Sequence, residues 1–285
     1  MIRFALARDY PQIKTLWTKV FGDPKAAVDA YFRLRHKDEN MLVDVRGSGE
    51  VIAMLNMLPV TLATDGGQDY PARYIYAVAT REDCRGQGAG TALLDAAHAH
   101  MQSLGEAAAV LVPAAPGLFA FYGKREYQTA FYMDILTISA GELPPFPRRG
   151  QSGACSAAEY ARLRDLAFAS SRLYVRWDES AVSYAVQTFA KPCGVTALTW
   201  DGGYGCAAWE QTATGVLVRE LALLKGDAHT ALSVLHGALN VKRYTVRLAQ
   251  GASPGAETQP FGMIRWLIPE PELKGKPPYI SLAMD

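Results

Sequence analysis

The sequence predicts two tandem α+β domains, each a mixed, largely antiparallel sheet flanked by helices. Three observations predict it. The chain has 285 residues, more than one ordinary domain needs, and 49% of them are hydrophobic, enough to fill more than one core. A stretch from Gly141 to Gly153, rich in proline, glycine and arginine, can join neither a helix nor a central strand, so it divides the chain. The order of helical and extended patterns before that stretch recurs after it, as a weak internal duplication. The expected parts are residues 1–140, a linker over 141–153 and residues 154–285.

In the first part, Ile2 to Leu6 reads as a short strand. Asp9 is then expected to cap a helix to about Val20, with Ile13, Leu16 and Val20 on one face. A second helix covers Lys25 to Leu34. Met41 to Val45, Val51 to Thr61 and Ala72 to Thr80 read as three strands of an antiparallel meander, because Gly47 to Gly49 and Asp65-Gly66-Gly67 favour turns between them. A helix from Gly88 to Leu104 follows, its buried stripe being Leu93, Leu94, Ala97, Met101 and Leu104. Strand Ala108 to Val112, helix Pro116 to Arg125 and strand Tyr127 to Ile138 complete this part.

After the linker, helices Ala157 to Ala169 and Glu179 to Phe189 precede strands Gly194 to Trp200, Tyr204 to Glu210 and Val216 to Leu224. A helix from Asp227 to Leu239 and strands at Tyr244 to Leu248, Met263 to Leu267 and Tyr279 to Ala283 finish the repeat.

The formal net charge is +1 and the basic residues are scattered, so neither nucleic acid nor an anionic membrane is an expected partner. A small-molecule or protein substrate fits better. Cys84, Cys155, Cys193 and Cys206 show no Cys-x-x-Cys spacing and no nearby histidine, which argues against disulfides and against zinc; no metal is expected. Met1 to Asp9 lacks a long apolar core, and no apolar run reaches the roughly 18 to 20 residues that span a bilayer. A soluble protein in the reducing cytoplasm is the expectation.

The chemistry concentrates between Tyr74 and Thr91. Tyr74-Ile75-Tyr76-Ala77-Val78-Ala79-Thr80 delivers the chain into Arg85-Gly86-Gln87-Gly88-Ala89-Gly90-Thr91, which opens a long helix. Free N–H groups at a helix start, the macrodipole and the missing side chains at Gly86, Gly88 and Gly90 suit a diphosphate, with Arg85 adding a positive charge. A P-loop would need lysine after the last glycine, where Thr91 stands. A dinucleotide fingerprint counted from Gly86 would need its third glycine at Thr91, and the preceding strands form a meander rather than a parallel sheet. An ordinary strand-to-helix turn is the plain alternative.

The run Val78-Ala79-Thr80, two variable positions, then Asp83-Cys84-Arg85-Gly86-Gln87-Gly88-Ala89-Gly90 resembles the acetyl-CoA-binding motif of the GNAT N-acetyltransferases, Arg/Gln-x-x-Gly-x-Gly/Ala, fitting at Arg85, Gly88 and Gly90. The resemblance implies tandem GNAT-like domains, with acetyl-CoA as co-substrate held by Arg85, Gly86, Gln87, Gly88, Ala89, Gly90 and Thr91. It also implies that the main chain of Tyr76, Ala77 and Val78 meets the pantetheine. Phe121-Tyr122-Gly123-Lys124-Arg125-Glu126-Tyr127 is similar to the family's aromatic-Tyr-x-Lys/Arg-x-Gly-Tyr/Phe segment, which makes Tyr122 the general acid for the departing thiolate. Glu126 stands where the family usually has glycine. The plain alternative for Tyr122 is a buried aromatic among Phe119, Phe121 and Tyr127.

The Tyr-Gly-Lys pattern and the degenerate second half resemble the enhanced intracellular survival branch of that superfamily, in which two GNAT-like domains precede a sterol-carrier-like third. The residues here cover the first two, and the general base stays unassigned. The resemblance is specific over Tyr74 to Tyr127 and architectural over Ala154 to Asp285.

In the second half, Lys225-Gly226-Asp227-Ala228-His229-Thr230 takes the place of the glycine-rich loop, and Asp227 would fill the N–H groups that a phosphate needs. That half is not expected to bind CoA; walling the acceptor site is the use expected of it. Tyr174, Trp177, Trp200, Tyr204 and Trp209 read as core before wall. His98 and His100 are expected at solvent or the helix edge, and Cys84 is expected to pack under the loop, although a helix start and Arg85 would also activate a thiol.

The functional expectation is an N-acetyltransferase acting on an amine of a small molecule or protein by direct attack. The main alternative is a non-catalytic acyl-CoA-binding regulatory module, told apart by transfer or thiol release with a panel of amines. A structural scaffold that binds no CoA is a third. Homo-oligomerisation and the acceptor stay open.

Overall fold

The computed structural model describes residues 1–188, 191–280 and 282. The first elements are β1 (Ile2–Phe4), α1 (Tyr10–Phe21), α2 (Lys25–Leu34), β2 (Met41–Val45), β3 (Val51–Ala63) and β4 (Asp69–Thr80). Next come α3 (Ala89–Ser103), β5 (Ala108–Leu111), α4 (Gly117–Gly123), β6 (Gln128–Ser139) and β7 (Gln151–Ala154). The repeat supplies α5 (Ala157–Phe168), β8 (Tyr174–Arg176), α6 (Glu179–Thr188), β9 (Cys193–Trp200), β10 (Gly203–Thr212) and β11 (Gly215–Lys225). The last are α7 (Ala228–Leu239), β12 (Arg243–Ala249) and β13 (Glu257–Trp266).

Two compact units result. The first holds Met1–Thr61, Tyr70–Gln128 and Met263–Pro271; the second holds Leu62–Asp69, Thr129–Gly262 and Glu272–Asp285. Residues 141–153, expected as a linker, lie within the second unit, and Gln151 to Ala154 pair with β9 as an edge strand. The edge position reconciles that strand with the glycine at 153, since an edge has one ladder to satisfy rather than two.

In the first unit β1, β2, β3, β4 and β5 neighbour one another in that order, antiparallel from β1 to β3 and parallel between β4 and β5. The next strand comes from far along the chain: Met263 to Trp266 of β13 pair antiparallel with Leu111 to Ala108. The core under α3 joins Leu93, Leu94, Ala97 and Met101 to Leu55, Met57, Ala109 and Met263. Each large aliphatic side chain so buried stabilises the unit by about 1.5–3 kcal/mol.

The second unit repeats the scheme. β9, β10 and β11 form an antiparallel meander, β11 and β12 run parallel over Val216 to Val218, and β12 pairs antiparallel with β6. Its core gathers α7 side chains Ala231, Leu232 and Leu235 with Leu136, Val218, Tyr244 and Val246. Trp200 belongs to that core, and Tyr174 and Trp177 are buried as well, as core residues are.

Several local expectations are corrected. The Asp9 carboxylate does not cap α1; it accepts the Leu6 N–H at 2.8 Å and pairs with Arg3 at 2.6 Å, a charged partner that outcompetes neutral amides. Trp17 rather than Val20 shares the buried face with Ile13 and Leu16. Leu104 is exposed because α3 ends at Ser103 and the helical period stops there. Phe189 and the part of the expected last strand at Ser281 and Ala283 lie outside the described residues; Tyr279 forms a bridge with Tyr174.

Candidate active site

The glycine-rich turn is built by two left-handed residues. Gly86 (φ +73°) and Gly88 (φ +87°) adopt a backbone that side chains disfavour, and a Cβ at either would meet open space. Gly88 is the N-cap of α3, and no side chain caps that end. The amides there are therefore left for a partner from outside the chain. Gly90 differs: a Cβ there would lie 3.5 Å from Thr80 Oγ1 and 3.9 Å from Phe121, so it faces inward. Ala89 is buried, while Arg85 and Gln87 are exposed. Gln87 donates to the Asp83 carbonyl at 3.0 Å and Arg85 Nε to the Thr80 carbonyl at 3.3 Å.

Two acidic neighbours, Asp83 and Glu50, are paired. Arg81 binds Asp83 and Glu50, and its guanidinium holds the Asp83 carboxyl below the usual range. Cys84 packs under the turn as expected, buried, with Arg46 Nη2 2.9 Å from its sulfur.

Beside the turn the sheet opens. β4 and β5 are paired only from Ala72–Ala108 to Tyr74–Val110, yet β4 continues to Thr80. Within that continuation Ala77 takes φ +50°, a left-handed value that costs a non-glycine residue about 1–2 kcal/mol. Tyr76 on the same stretch is half-buried, its ring 5.5 Å from Trp17 and 5.8 Å from Tyr31.

Tyr122 lies at the end of α4 and is buried. Among the described residues its hydroxyl has no hydrogen-bond partner. Burial pushes the phenol up to about 12, with the nearby Arg125 charge pulling it down, so it is protonated at neutral pH. Glu126, the departure from the family pattern, takes φ +64° and so performs the turn that glycine would, while its carboxylate reaches Arg265 at 2.5 Å. The Tyr127 N–H still closes onto the Tyr122 carbonyl at 3.3 Å.

Three residues at the site went unforeseen. His98 is buried rather than at solvent: Arg265 Nη1 lies 2.8 Å from its Nδ1, and its Nε2 lies 2.8 Å from the Tyr127 hydroxyl. Since arginine only donates, Nδ1 accepts and Nε2 carries the proton to Tyr127. Burial, helped by the Arg265 charge, lowers His98 to about 4, so it is neutral. Arg265 sits 167 positions away, and no local pattern announces it. The third, Arg125, belongs to the Tyr122 segment; its guanidinium lies 3.6 Å from the Phe121 ring centroid and donates through Nε to Thr91 Oγ1 at 3.1 Å. His100 is half-buried, edge-on to Phe4.

Among the described residues no group of three or more His, Cys, Asp or Glu side chains could hold a metal ion, and no helix is long and apolar enough to cross a membrane.

Residues 1–130 match the family described as an acetyltransferase (GNAT) domain. They are similar to a GNAT domain. Solved structures extend the likeness to the tandem fold. A probable N-acyltransferase from Enterococcus faecalis is 17% identical with a TM-score of 0.74, covering 94% of this chain and 72% of that one. Eis1 from Mycobacterium abscessus is 16% identical with a TM-score of 0.69, covering 94% and 74%. A tandem GNAT protein from the clavulanic acid biosynthesis pathway is 13% identical with a TM-score of 0.57, covering 95% and 100%. At such identities these are likenesses of fold. No curated protein matches the sequence. The glycine turn, the parting strands and Tyr122 all fall inside the matched residues.

Proposed function

We propose that the chain moves an acetyl group from acetyl-CoA to an amine of a small molecule or a protein by direct attack. The observation that carries this reading is the start of α3, where left-handed Gly86 and Gly88 leave helix amides uncapped beside Arg85. The diphosphate rests on the amides from Gly86 to Thr91, and the pantetheine lies along Tyr76, Ala77 and Val78, where β4 has parted from β5. The left-handed Ala77 supports this, since strain kept in a strand interior marks a peptide used for something other than the ladder. An N–H near Val78 meets the oxyanion as the amine adds to the thioester carbonyl.

When the C–S bond breaks, Tyr122 gives its proton to sulfur, and a water or an unassigned carboxylate takes the proton of the amine. A phenol raised by burial stays protonated until negative charge builds on sulfur. The four free cysteines suit a reducing, cytoplasmic setting.

The test is thiol release from acetyl-CoA with a panel of amines. Tyr122→Phe is expected to lower turnover about 10²–10⁴-fold with CoA affinity nearly unchanged. Unchanged turnover removes the acid role, and a protein that gives no calorimetric response to CoA removes the reading altogether.

A further inference from the structure

Five arginines of the first unit, Arg3, Arg46, Arg73, Arg81 and Arg265, each meet a carboxylate. Arg125 meets none among the described residues. It is nonetheless held in place, by neutral groups only: Nε and Nη2 donate to Thr91 Oγ1, Nη1 donates to the Phe121 carbonyl at 2.5 Å, and the plane lies 3.6 Å from the Phe121 ring centroid. Arginine has five N–H donors, so after these three one N–H on each terminal nitrogen is left over.

Its position is electrostatically odd. Thr91 lies in the first turn of α3, where the macrodipole is positive and a cation is disfavoured. Side chains that serve only to join α3 to α4 need no charge there. A rigid guanidinium with spare donors at that end is explained by an anion that both the helix amides and the arginine share, and a phosphate takes such a fork in two parallel bonds.

We propose that Arg125 is a second cationic anchor for the diphosphate of CoA, beside Arg85 in the cofactor reading and pre-positioned by Thr91 and Phe121. The proposal rests on the cofactor reading above and adds to it a residue outside the glycine-rich turn. Because Arg125 follows α4 directly, the same side chain ties the phosphate site to the helix that carries Tyr122.

The experiment compares three probes by calorimetry: CoA, 3′-dephospho-CoA, which keeps the diphosphate, and pantetheine, which has no phosphate. Arg125→Gln is expected to weaken CoA and 3′-dephospho-CoA alike by about tenfold, the scale of one charged hydrogen-bond pair, and to leave pantetheine unchanged. Equal loss with pantetheine means a structural role and overturns the proposal. Loss with CoA alone places the contact on the 3′-phosphate and overturns it too, as does wild-type affinity in the variant. Wild-type protein that binds none of the probes instead overturns the cofactor reading, and this proposal with it. Should Arg125→Gln fail to fold, Arg125→Lys keeps the charge without the fork; it is expected to bind CoA several-fold more weakly, and unchanged affinity would overturn the proposal.

Discussion

Both units run through a strand, two helices, three strands, a helix and a parallel strand in that order, and among the described residues the second adds β8 and has no counterpart of α4. They differ at the turn before α3 and α7. Before α3 the chain has two left-handed glycines facing open space and an uncapped helix end. Before α7 it has one left-handed glycine, Gly226, whose Cβ would meet Trp200 at 2.4 Å, and then Asp227, which accepts the Thr230 N–H at 2.9 Å. A glycine beside a helix start is thus informative only through what lies in front of it. In the second unit the glycine admits a tryptophan and the helix end is satisfied from within.

The difference continues into the core. Counting from the paired positions Ala72–Ala108 and Val216–Tyr244, Tyr76 of β4 corresponds to Glu220 of β11. Counting from the first residues of α1 and α5, Trp17 corresponds to Arg164. Two rings 5.5 Å apart in the first unit are replaced in the second by a fully buried ion pair at 2.5 Å. Tyr160 and Tyr279 also donate to Glu220, at 2.6 and 3.1 Å. The first unit keeps a half-exposed aromatic beside its parted strands; the second fills the matching place with charges that bind each other.

The largest effect expected from breaking this contrast follows. Glu220→Ala strands the Arg164 guanidinium, whose Nη1 is already without a partner among the described residues, and is expected to cost about 3–5 kcal/mol in urea unfolding. A loss below about 1 kcal/mol would mean that the pair is solvated and that the second unit is not closed there.

A smaller effect separates the helices themselves. Each carries a histidine that meets a tyrosine hydroxyl, His98 with Tyr127 and His236 with Tyr244. His98 is lowered from 6.5 to about 4 by burial. The unfolded chain therefore takes up the proton first as pH falls. The contribution of neutral His98 is whole above about pH 6.5, declines down to about pH 4 and levels off below, for a total of up to about 3 kcal/mol. His98→Gln is expected to remove that slope, so the stability gap between wild type and variant narrows on acidification. Parallel pH profiles would show that His98 does not titrate as its burial requires.

What the sequence could foretell follows from distance along the chain. The glycine turn, Tyr122 and the Asp227 cap are short-range features, and their backbone consequences could be read from neighbours. The β4–β5 parting is not legible locally, because it depends on where a parallel partner stops; the resemblance implied only that the main chain of Tyr76, Ala77 and Val78 meets the pantetheine. His98 was misplaced because its two partners, Tyr127 and Arg265, lie 29 and 167 positions away, so a polar residue on a mostly apolar helix looked like an edge position. Asp9 offered two local partners, a helix end and Arg3, and pattern reading cannot weigh an ion pair against a cap. The strand from Met263 to Trp266 was foreseen as a strand, but nothing in its composition said that it would complete the first unit.

The smallest expected effect tests whether the acidic cap alone distinguishes the two turns. Asp227→Ala removes the side chain that accepts the Thr230 N–H and hydroxyl, at 2.9 and 2.8 Å, and should cost about 1 kcal/mol, as loss of an N-cap usually does. It also frees α7 amides for an outside anion. CoA stoichiometry by calorimetry is nevertheless expected to stay as in wild type, because Trp200 still occupies the space before Gly226 and no second left-handed glycine follows. A second bound CoA in the variant would show that one carboxylate was the whole barrier, and that the glycine pattern of the first unit matters less than an empty helix end.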